Sequence, residues 1–426
     1  MTVAGAPGSL GTHPVPTSYP LRGPDSSTLA GVHVTEHDEH DVLFPGRCQN
    51  GAMLQPVTAV PVLLRLGGRP VSAVGPVRIY VCGITPYGVT HLGHASTFVW
   101  ADAAARVLAW TGHAVHTARN VTDVDDVLYE EAARQGQEPS LFGALQRASF
   151  DLTMSTLRVG IPEYQPTAAQ AVRQVIRLAA ILLAVGEAYE RDGTVYARTA
   201  RAAAGMDRDT ALALSAEYRD EPDDPAKDDP LDVAVWRSAA RTDHPAFGWP
   251  SPWGEGRPGW HAGCAAMVLA RYGPGLDLHC GGADLAYPHH ACEAALAEAA
   301  TGVTPFAQHW LRAGTVQVGG EKMAKSSGNL VLVEDLLRDH SPATVRLLCL
   351  NRPYADAWEY EPALLDEAGA TLDQLYSAAG KPGRDQPPPP LRDALLQDLD
   401  VPRAIEIALD EGGATARALI EVLMLG

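Results

Sequence analysis

A short apolar run, a long alanine-rich segment and a second apolar run follow one another in the first third of this chain. VRIYVCG (77–83) contains β-branched and aromatic residues that end in glycine, a pattern typical of a buried strand. The segment from residue 91 to Gly112 predicts a helix, because alanine favours helices and glycine ends them. HAVHTARNVTD (113–123) predicts a second strand. This order indicates a βαβ unit and therefore a parallel sheet, which strongly restricts the fold.

Polar segments follow the predicted strands. CGITPY (82–87) and NVTDVDD (120–126) come at the two strand ends, and GLDLHCGGADL (275–285) predicts a further strand with a glycine-rich turn. Ligands of open α/β sheets bind at the carboxyl ends of the strands. We therefore expect the functional site at this edge of the sheet.

Composition divides the chain into a tail, a core and a C-terminal region. Residues 1–60 are rich in Gly, Pro, Ser and Thr without a sustained apolar period, which predicts a disordered extension. GKPGRDQPPPP (380–390) indicates a linker, since consecutive prolines cannot continue a helix. The predicted organisation is a catalytic core over 62–335 with a mainly helical insertion at about 129–215, a helical region over 336–380, and a linker with short helices over 381–426.

The charge balance argues against a nucleic-acid partner. Lys and Arg number 33, Asp and Glu number 51, and the formal net charge is −18. Proteins that bind nucleic acid through its phosphates cluster Lys and Arg on one face, and this sequence has no basic run. A tRNA partner is therefore disfavoured.

Cysteine usage and hydropathy predict a cytoplasmic protein without a membrane partner. No apolar run reaches the ~18–20 residues of a membrane span, and the amino terminus lacks the order of a secretory signal. The six cysteines are scattered and form no CxxC pair, so neither a disulfide framework nor a zinc ribbon is expected. A metal site must draw its ligands from distant parts of the chain.

The segment HLGH places His91 and His94 at the start of the predicted helix. Residues at i and i+3 share one helical face, and the N-terminus of a helix favours phosphate oxygens. Gly93 between them leaves room for a flat ring to approach the backbone. Taken alone, two histidines at this spacing are more often structural.

The segment EKMAKSSGN (321–329) places Lys322 and Lys325 in a loop of small residues. Two ammonium groups on a mobile loop can close over a triphosphate and stabilise the charge that develops as pyrophosphate leaves. Taken alone, a charge pair at the surface is the commoner explanation.

Together, in this order, the two segments resemble the HIGH and KMSKS signatures of class I aminoacyl-tRNA synthetases. GGADL, with Asp284, is similar to the segment with which those enzymes hold adenosine. The resemblance implies a Rossmann-like parallel sheet of the class I type with a helical insertion and a short C-terminal helical region. It also implies ATP as a substrate, with Mg²⁺.

The neighbouring segments resemble the cysteine branch of this class. They are YVCGITPY, NVTDVDD, GRPGWHAGC, DLHCGGADLAYPHH and KMAKSSGN. That resemblance implies one zinc ion, held by Cys82, Cys264 and His289, with Glu293 as a candidate fourth ligand. Cys280 and Cys292 lie close to these residues in sequence, and a core role is favoured over ligation for both.

The chemistry of zinc agrees with that assignment. Zinc takes nitrogen and sulfur ligands tetrahedrally, and catalytic sites keep one position open. A substrate thiolate in that position gives a bond that serine cannot match, so cysteine can be selected without an editing domain. His289 and Glu293 are at i and i+4, on one helical face. Without the flanking segments, Cys82 would be interpreted as a buried strand residue.

Few residues remain after the KMAKS segment for an anticodon-reading domain. ITPY (84–87), GNLVLV (328–333) and QDLDVPRAI (397–405) instead resemble the cysteine ligase family of mycothiol biosynthesis. That family activates cysteine with ATP and transfers it to the amine of glucosaminyl-inositol. By this resemblance, His91, His94, Lys322 and Lys325 stabilise the phosphates. The residues that would line the cysteinyl-adenylate site are Cys82, Gly83, Ile84, Thr85, Thr97, Asn120, Val121, Thr122, Trp260, Gly282, Ala283, Asp284 and Val316.

Several positions depart from the family pattern, and some of the changes remove a carboxylate. An ERGGDP-like loop is replaced by RDEPDDP (219–225). The single-residue departures are Gly88, Gly263, Ala291, Arg312 and Ala324. They suggest retained adenylation with a changed amine acceptor, and less strongly a changed amino acid.

Three hypotheses therefore remain open. The first is a zinc-dependent ligase that joins cysteine to a small amine, acting as a monomer on small molecules. The second is a truncated cysteinyl-tRNA synthetase. The third is a non-catalytic synthetase-like binding protein, which the retention of both HLGH histidines and both KMAKS lysines opposes.

Overall fold

The structure is a computed structural model that describes residues 63–241, 248–324, 327–382 and 386–426. The predicted extension over 1–60 and the predicted catalytic Lys325 lie outside the described residues. The helices are α1 (Leu92–Trp110), α2 (Asp126–Arg134), α3 (Pro139–Thr156), α4 (Val172–Ala184), α5 (Arg208–Glu217), α6 (Trp260–Tyr272), α7 (Ala291–Thr301), α8 (Val333–Asp339), α9 (Pro342–Leu350), α10 (Ala363–Ala379), α11 (Pro389–Leu396), α12 (Val401–Glu411) and α13 (Gly413–Val422). Among the helices of these ranges, none has both the length and the hydropathy that a membrane crossing requires.

The strands build one four-stranded parallel sheet, one four-stranded antiparallel sheet, a two-stranded ribbon and a three-stranded mixed sheet. The strands are β1 (Arg65–Leu66), β2 (Arg69–Pro70), β3 (Val77–Ile84), β4 (Val115–Val121), β5 (Ala188–Arg191), β6 (Thr194–Ala197), β7 (Val233–Ser238), β8 (Gly256–Pro258), β9 (Leu276–Gly282), β10 (Ala307–Ala313), β11 (Val316–Val318), β12 (Glu321–Lys322) and β13 (Trp358–Glu359). The ribbon is β1–β2, and the mixed sheet is β12–β11–β13.

The parallel sheet has the strand order β10–β9–β3–β4, and all of its neighbours run in parallel. The predicted βαβ unit is thus present as β3, α1 and β4. Side chains alternate between the two faces of a strand. Ile79 and Val81 of β3 enter the core cluster that contains α1, whereas Tyr80 and Cys82 enter the cluster that contains Cys264 of α6. The period of β3 therefore turns the thiol of Cys82 toward α6.

Helices make up most of the insertion between the halves of the sheet, and a β-hairpin that the sequence analysis did not predict is added to them. The insertion contains α2 to α5, but β5 and β6 form a hairpin that continues through β7 and β8 into an antiparallel sheet. The hairpin turns at Asp192 and Gly193, both with positive φ (52° and 81°). Asp-Gly is the pair that a tight hairpin turn prefers. This signal is present in the sequence, and the helical interpretation overlooked it.

The C-terminal helices share the main hydrophobic core with α1. Residues from α9, α10, α12 and α13 belong to the same buried cluster as Phe98 and Trp100 of α1. Arg346 of α9 is fully buried and pairs with Asp102 of α1, and it donates to the carbonyls of Leu157 (3.1 Å) and Leu423 (2.6 Å). The regions predicted as 336–380 and 381–426 thus brace the helix that begins at HLGH.

Candidate metal and nucleotide site

The carboxyl ends of β3 and β4 approach each other very closely at Gly83. The amide of Gly83 donates to Oδ1 of Asn120 at 2.8 Å. A Cβ at Gly83 would lie 1.6 Å from the backbone oxygen of Asn120, so only glycine fits. Asn120 is buried, and its amide nitrogen donates to the Thr122 hydroxyl at 3.1 Å. Gly83, Asn120 and Thr122, three of the predicted adenylate residues, thus form one hydrogen-bonded group.

Ile84, Thr85 and Val121 extend this group. The Ile84 carbonyl accepts a hydrogen bond from the Thr122 amide at 2.8 Å, and Ile84 pairs with Val121 in the sheet. The Thr85 hydroxyl donates to Oδ2 of Asp125 at 3.3 Å. Ile84 and Val121 are buried, so their side chains support the edge of the sheet.

The end of β9 brings Gly282, Ala283 and Asp284 toward α1. A Cβ at Gly282 would lie 2.3 Å from Oδ1 of Asp284 and 3.7 Å from the Thr97 hydroxyl. Glycine is therefore needed for the Asp284 carboxylate to fold back over the strand end. Thr97, which bonds the Gly93 carbonyl at 3.3 Å, faces this turn from α1.

Stacked aromatic side chains lie beside this turn. Trp260, the first residue of α6, stacks on His289, with the ring centroids 4.0 Å apart and the planes at 24°. Tyr218 also stacks on Trp260, with the ring centroids 5.9 Å apart and the planes at 15°. The Tyr218 hydroxyl donates to the Asp284 carbonyl at 3.1 Å. Sequence reasoning selected Trp260 and missed Tyr218, which follows α5 and has no sequence signal of its own.

The two histidines of HLGH stack on each other. Their ring centroids are 3.8 Å apart and the planes meet at 28°. Burial, together with His94, lowers the pKa of His91 to about 3, and burial lowers the pKa of His94 to about 4. Both imidazoles are therefore neutral near pH 7. They can donate hydrogen bonds to phosphate oxygens without adding charge.

Backbone hydrogen bonds join the HLGH segment to the segment that follows KMAKS. The Leu92 amide donates to the Val331 carbonyl at 2.8 Å, and the Val333 amide donates to the Thr90 carbonyl at 3.1 Å. The two motifs, far apart in sequence, are thus held at one place.

Strand β11 supports the first half of the KMAKS segment. The Val316 carbonyl accepts from the Met323 amide at 2.9 Å, and Gln317 is the register partner of Lys322. The Val316 side chain is buried in the main core. Its role in this structure is to support the segment through its backbone.

Lys322 spans from the KMAKS segment to the turn after β9. Its Nζ lies 2.7 Å from Oδ2 of Asp284 and 3.5 Å from the Tyr218 hydroxyl. Burial opposes the charge of Lys322, but Asp284 outweighs it and raises the pKa. The segments predicted to contact the sugar and the phosphates of a nucleotide therefore contact each other through this ion pair.

Four predicted metal ligands converge below this edge of the sheet. Donor atoms of Cys82, Cys264, His289 and Glu293 all lie within 4.8 Å of one another, and all four residues are buried. Cys82 Sγ lies 3.3 Å from Glu293 Oε1, and His289 Nε2 lies 2.6 Å from the same oxygen. β3 supplies Cys82, α6 supplies Cys264, and the turn before α7 and α7 itself supply His289 and Glu293.

The electrostatics of this cluster favour charged ligands. The hydrogen bond from Cys82, together with His289, lowers the pKa of Cys264 to about 6. Burial disfavours the imidazolium of His289, but Glu293 and Cys264 outweigh it and raise its pKa to about 10. Burial raises the pKa of Cys82 well above its usual value. The cluster thus holds a thiolate and a carboxylate, with protons that a cation can displace.

This donor set fits a zinc ion. Zinc prefers sulfur and nitrogen donors with bonds of about 2.0–2.3 Å, which places tetrahedral ligands about 3.3–3.8 Å apart. Two thiols, an imidazole and a carboxylate in one buried cluster meet these needs with small movements. A buried carboxylate would be costly without a cation or hydrogen-bond donors to compensate it.

Two further histidines lie against the cluster. His279 Nε2 is 2.8 Å from Glu293 Oε2, and the His279 ring stacks on Trp310 with centroids 4.6 Å apart. The His290 ring lies beside Trp310 at 4.9 Å, with the two planes tilted by 37°. These two histidines form an alternative group of donors with Cys82 and Glu293. Sequence reasoning did not select them, although the alternation of β9 places His279 on the opposite face from Cys280.

Cys280 and Cys292 behave as core residues. Both are buried in hydrophobic clusters, and burial raises the pKa of each thiol. Within the described ranges, neither belongs to a group of donors that could hold a metal.

Comparison with known proteins places these features in a family. Residues 70–370 match the catalytic domain of class I (C) tRNA synthetases. The chain belongs to this family. It is an enzyme of the ligase class, and relatives that match it over most of the chain are named as ligases.

Two relatives illustrate the similarity. The L-cysteine:1D-myo-inositol 2-amino-2-deoxy-alpha-D-glucopyranoside ligase of Mycolicibacterium vanbaalenii is 45% identical over 360 residues, covering 82% of this chain and 83% of the relative. The ligase of the same name from Nocardia farcinica is 42% identical over 370 residues, covering 82% and 89%.

Solved structures agree on the fold. The methionyl-tRNA synthetase of Mycobacterium tuberculosis in complex with methionyl-adenylate has a TM-score of 0.55 at 18% identity, covering 83% of this chain and 82% of the synthetase. The class I fold predicted from the sequence is therefore confirmed.

Proposed function

We propose that this enzyme activates L-cysteine with ATP to cysteinyl-AMP and transfers the cysteinyl group to the amine of a glucosaminyl-inositol. The buried group Cys82, Cys264, His289 and Glu293, beside the paired HLGH and KMAKS segments, is the observation that supports this proposal. The names of the relatives supply the acceptor.

Cysteine selection depends on the metal cluster. Cys82, Cys264 and His289 would hold a zinc ion, with Glu293 as a fourth ligand that can give way. Bound there, zinc would ligate the thiolate of the substrate and so distinguish cysteine from serine. Trp260 closes one side of the cluster by stacking on His289, which limits access of water.

Adenylation requires positioning and charge stabilisation. The cysteine carboxylate attacks the α-phosphorus of ATP, a carboxyl–phosphate bond forms, and the bond from the α-phosphorus to pyrophosphate breaks. Mg²⁺ bound to ATP would supply further charge stabilisation. Lys322, together with Lys325, would stabilise the departing phosphates, and the neutral imidazoles of His91 and His94 would donate hydrogen bonds to them. Asp284 would leave its ion pair with Lys322 to hold the adenosine sugar, so ATP replaces one interaction by two.

The second step joins the amine to the activated carboxyl group. A neutral amine attacks the mixed anhydride, the amide bond forms, the bond to AMP breaks, and the ammonium proton passes to solvent. The group Gly83, Asn120 and Thr122 and the hydroxyl of Thr85 would hold the adenylate in place for this attack. Little acid–base catalysis is required from the protein.

A small amine is preferred over tRNA as the acceptor. The net charge of −18 opposes a polyanionic partner. The C-terminal helices, which could offer a surface for RNA, instead share the core with α1.

Pyrophosphate exchange tests this function directly. The purified chain is incubated with ATP, labelled pyrophosphate and each amino acid, and then with glucosaminyl-inositol, glucosamine or tRNA. We expect exchange with cysteine and not with serine, and mass spectrometry should detect the amide of glucosaminyl-inositol.

Other outcomes point to the alternatives. Charging of tRNA would show a truncated cysteinyl-tRNA synthetase. Zinc or ATP binding without exchange for any amino acid would show a non-catalytic binding protein. Exchange with cysteine but amide formation only with another amine would correct the acceptor and leave the first step intact.

A further inference from the structure

A buried carboxylate lies behind the metal cluster, on a loop outside the predicted site. His261 Nε2 is 2.9 Å from Oδ1 and 3.0 Å from Oδ2 of Asp220. Both side chains are almost completely buried, at 1% and 7% exposed. Burying a carboxylate is costly, and the contact with His261 together with the charges of Arg237 and Lys227 offsets this cost for Asp220.

The other nitrogen of His261 faces the metal ligand His289. The two Nδ1 atoms are 2.9 Å apart. The Asp220 carboxylate can only accept, so His261 carries its proton on Nε2 and, when neutral, accepts at Nδ1. His289 turns Nε2 toward Glu293 Oε1, and its Nδ1, which faces the accepting Nδ1 of His261, therefore donates. Hydrogen bonds therefore run in one direction from His289 through His261 to Asp220.

The loop that carries Asp220 is held in an unusual conformation. Arg219 and Glu221, its two neighbours, have positive φ angles of 61° and 53°, which non-glycine residues rarely adopt. Such strain persists only where surrounding contacts determine the backbone. The Asp220 amide donates to the Ser215 carbonyl at 2.8 Å, and Lys227 Nζ donates to the Asp220 carbonyl. In this chain the loop reads RDEPDDP where the family pattern is ERGGDP-like.

We propose that Asp220 is a positioning residue for the metal site, which acts through His261 to fix the ring orientation and tautomer of His289. This inference rests on the metal cluster of the proposed function. A ligating histidine commonly donates its second N–H to a partner that orients it and strengthens its binding. In this chain the partner is a histidine–carboxylate pair, and the RDEPDDP loop supplies the carboxylate.

The same loop also connects the metal cluster to the nucleotide edge, by which we mean the HLGH histidines, Asp284 and Lys322. Tyr218, two residues before Asp220, contacts the Asp284 carbonyl and stacks beside Trp260, which itself covers His289. One short loop thus touches both halves of the site.

Competition for zinc between the full chain and a colorimetric chelator tests this proposal. Asp220→Ala should weaken zinc binding about 10- to 100-fold, the usual cost of losing a partner of a ligating histidine. Asp223→Ala, which removes an exposed carboxylate from the same loop, is the matched control and should bind zinc as the parent does. Asp220→Asn keeps an acceptor for His261 and should lose less than Asp220→Ala; it replaces Asp220→Ala if that variant fails to fold by circular dichroism.

A second substitution asks whether Asp220 acts through His261. In His261→Asn the amide oxygen takes about the place of the imidazole Nδ1, so it can accept from His289 without reaching Asp220. Adding Asp220→Ala to this variant should cause no further loss of zinc affinity, because the path to Asp220 is already cut. An equal loss in both backgrounds would show a merely structural effect and overturn the proposal.

The remaining outcomes separate this proposal from the proposed function. Parent-like zinc affinity in Asp220→Ala overturns the positioning role, while cysteine-dependent exchange in the parent chain would still support the function. A parent chain that binds no zinc overturns the positioning role together with the metal part of the function. If every variant binds zinc as predicted above but the parent chain shows no exchange with cysteine, the positioning role is supported and the proposed function is contradicted.

Discussion

The metal cluster and the nucleotide edge of this enzyme are built from opposite kinds of contact. Cys82, Cys264, His289 and Glu293 are at most 4% exposed and are supplied by elements of the rigid sheet and its covering helices. Lys322 and Asp284, in contrast, are 42% and 31% exposed, and their ion pair lies across a loop. Buried groups interact strongly but cannot rearrange cheaply, whereas exposed pairs are weak and exchange partners easily. The first region is suited to selecting an amino acid, and the second to opening and closing over ATP.

Removing a thiol from the cluster should have the largest effect. We expect Cys82→Ala to lose zinc and to lower kcat/KM for cysteine-dependent exchange about 10⁴-fold, the discrimination that a dedicated polar contact can supply. Cys349→Ala, which removes an equally buried thiol from α9, is the control and should retain zinc and exchange. Full activity of a metal-free Cys82→Ala enzyme would show that the metal cluster does not select the amino acid.

Removing the ammonium group from the nucleotide edge should affect catalysis without affecting the metal. Lys322→Ala should lower kcat of exchange about 10²- to 10³-fold, the usual cost of losing a group that stabilises transition-state charge. Zinc content should remain that of the parent, and the exposed Lys381→Ala should change neither quantity. A loss of zinc in Lys322→Ala would show that the two regions do not function separately.

Zinc affinity should depend on pH, and the sign follows from the protons that the ligands carry. Glu293 and Cys264 raise the pKa of His289 to about 10 against the effect of burial, so the metal must displace its proton at pH 7. For each proton that zinc displaces, its affinity should therefore fall about tenfold when the pH falls by one unit. Chelator competition at pH 6, 7 and 8 measures this slope, and a flat profile would contradict the proton content of the cluster.

Asp224 lies in the loop that carries Asp220, but its ion pair and hydrogen bond join it to Arg241 and Tyr196 rather than to the metal ligands. Loss of this ion pair should therefore mainly lower stability. Burial opposes ionisation of Asp224, but hydrogen bonds from Arg241 and Tyr196 outweigh it and lower its pKa to about 2. Because this pKa is below the usual value near 3.8, the stabilisation is complete above about pH 4 and is lost as the pH falls toward 2. Asp224→Asn should cost about 1.5–3 kcal/mol at pH 7.

Urea denaturation at several pH values measures this cost. The difference between Asp224→Asn and the parent should shrink toward zero near pH 2. Zinc affinity and exchange should stay at the parent's values at pH 7. A difference in stability that does not vary with pH would contradict the ionised state of Asp224.

Local sequence patterns predicted those features of the fold and the site that depend on residues close together in the chain. The β-branched and aromatic run of β3, the alanine content of α1 and the pairing of two distant motifs with known signatures predicted the parallel sheet and its functional edge. The donor set Cys82, Cys264, His289 and Glu293 was also selected from the sequence, and the structure brings the four together. The antiparallel sheet was missed although Asp192 and Gly193 carry its turn signal, because short strands resemble helix ends in composition.

The sequence by itself determined the class of fold and the two motifs, because strand period, helix propensity and glycine placement act over a few residues. Only the tertiary structure decided that Tyr218 stands beside Trp260 and that Asp220 reaches His289 through His261. These contacts join α5, its following loop and α6, elements that no local rule places together. A carboxylate on a loop is commonly solvated, and only the packing of the whole chain shows that this one is buried behind a metal ligand.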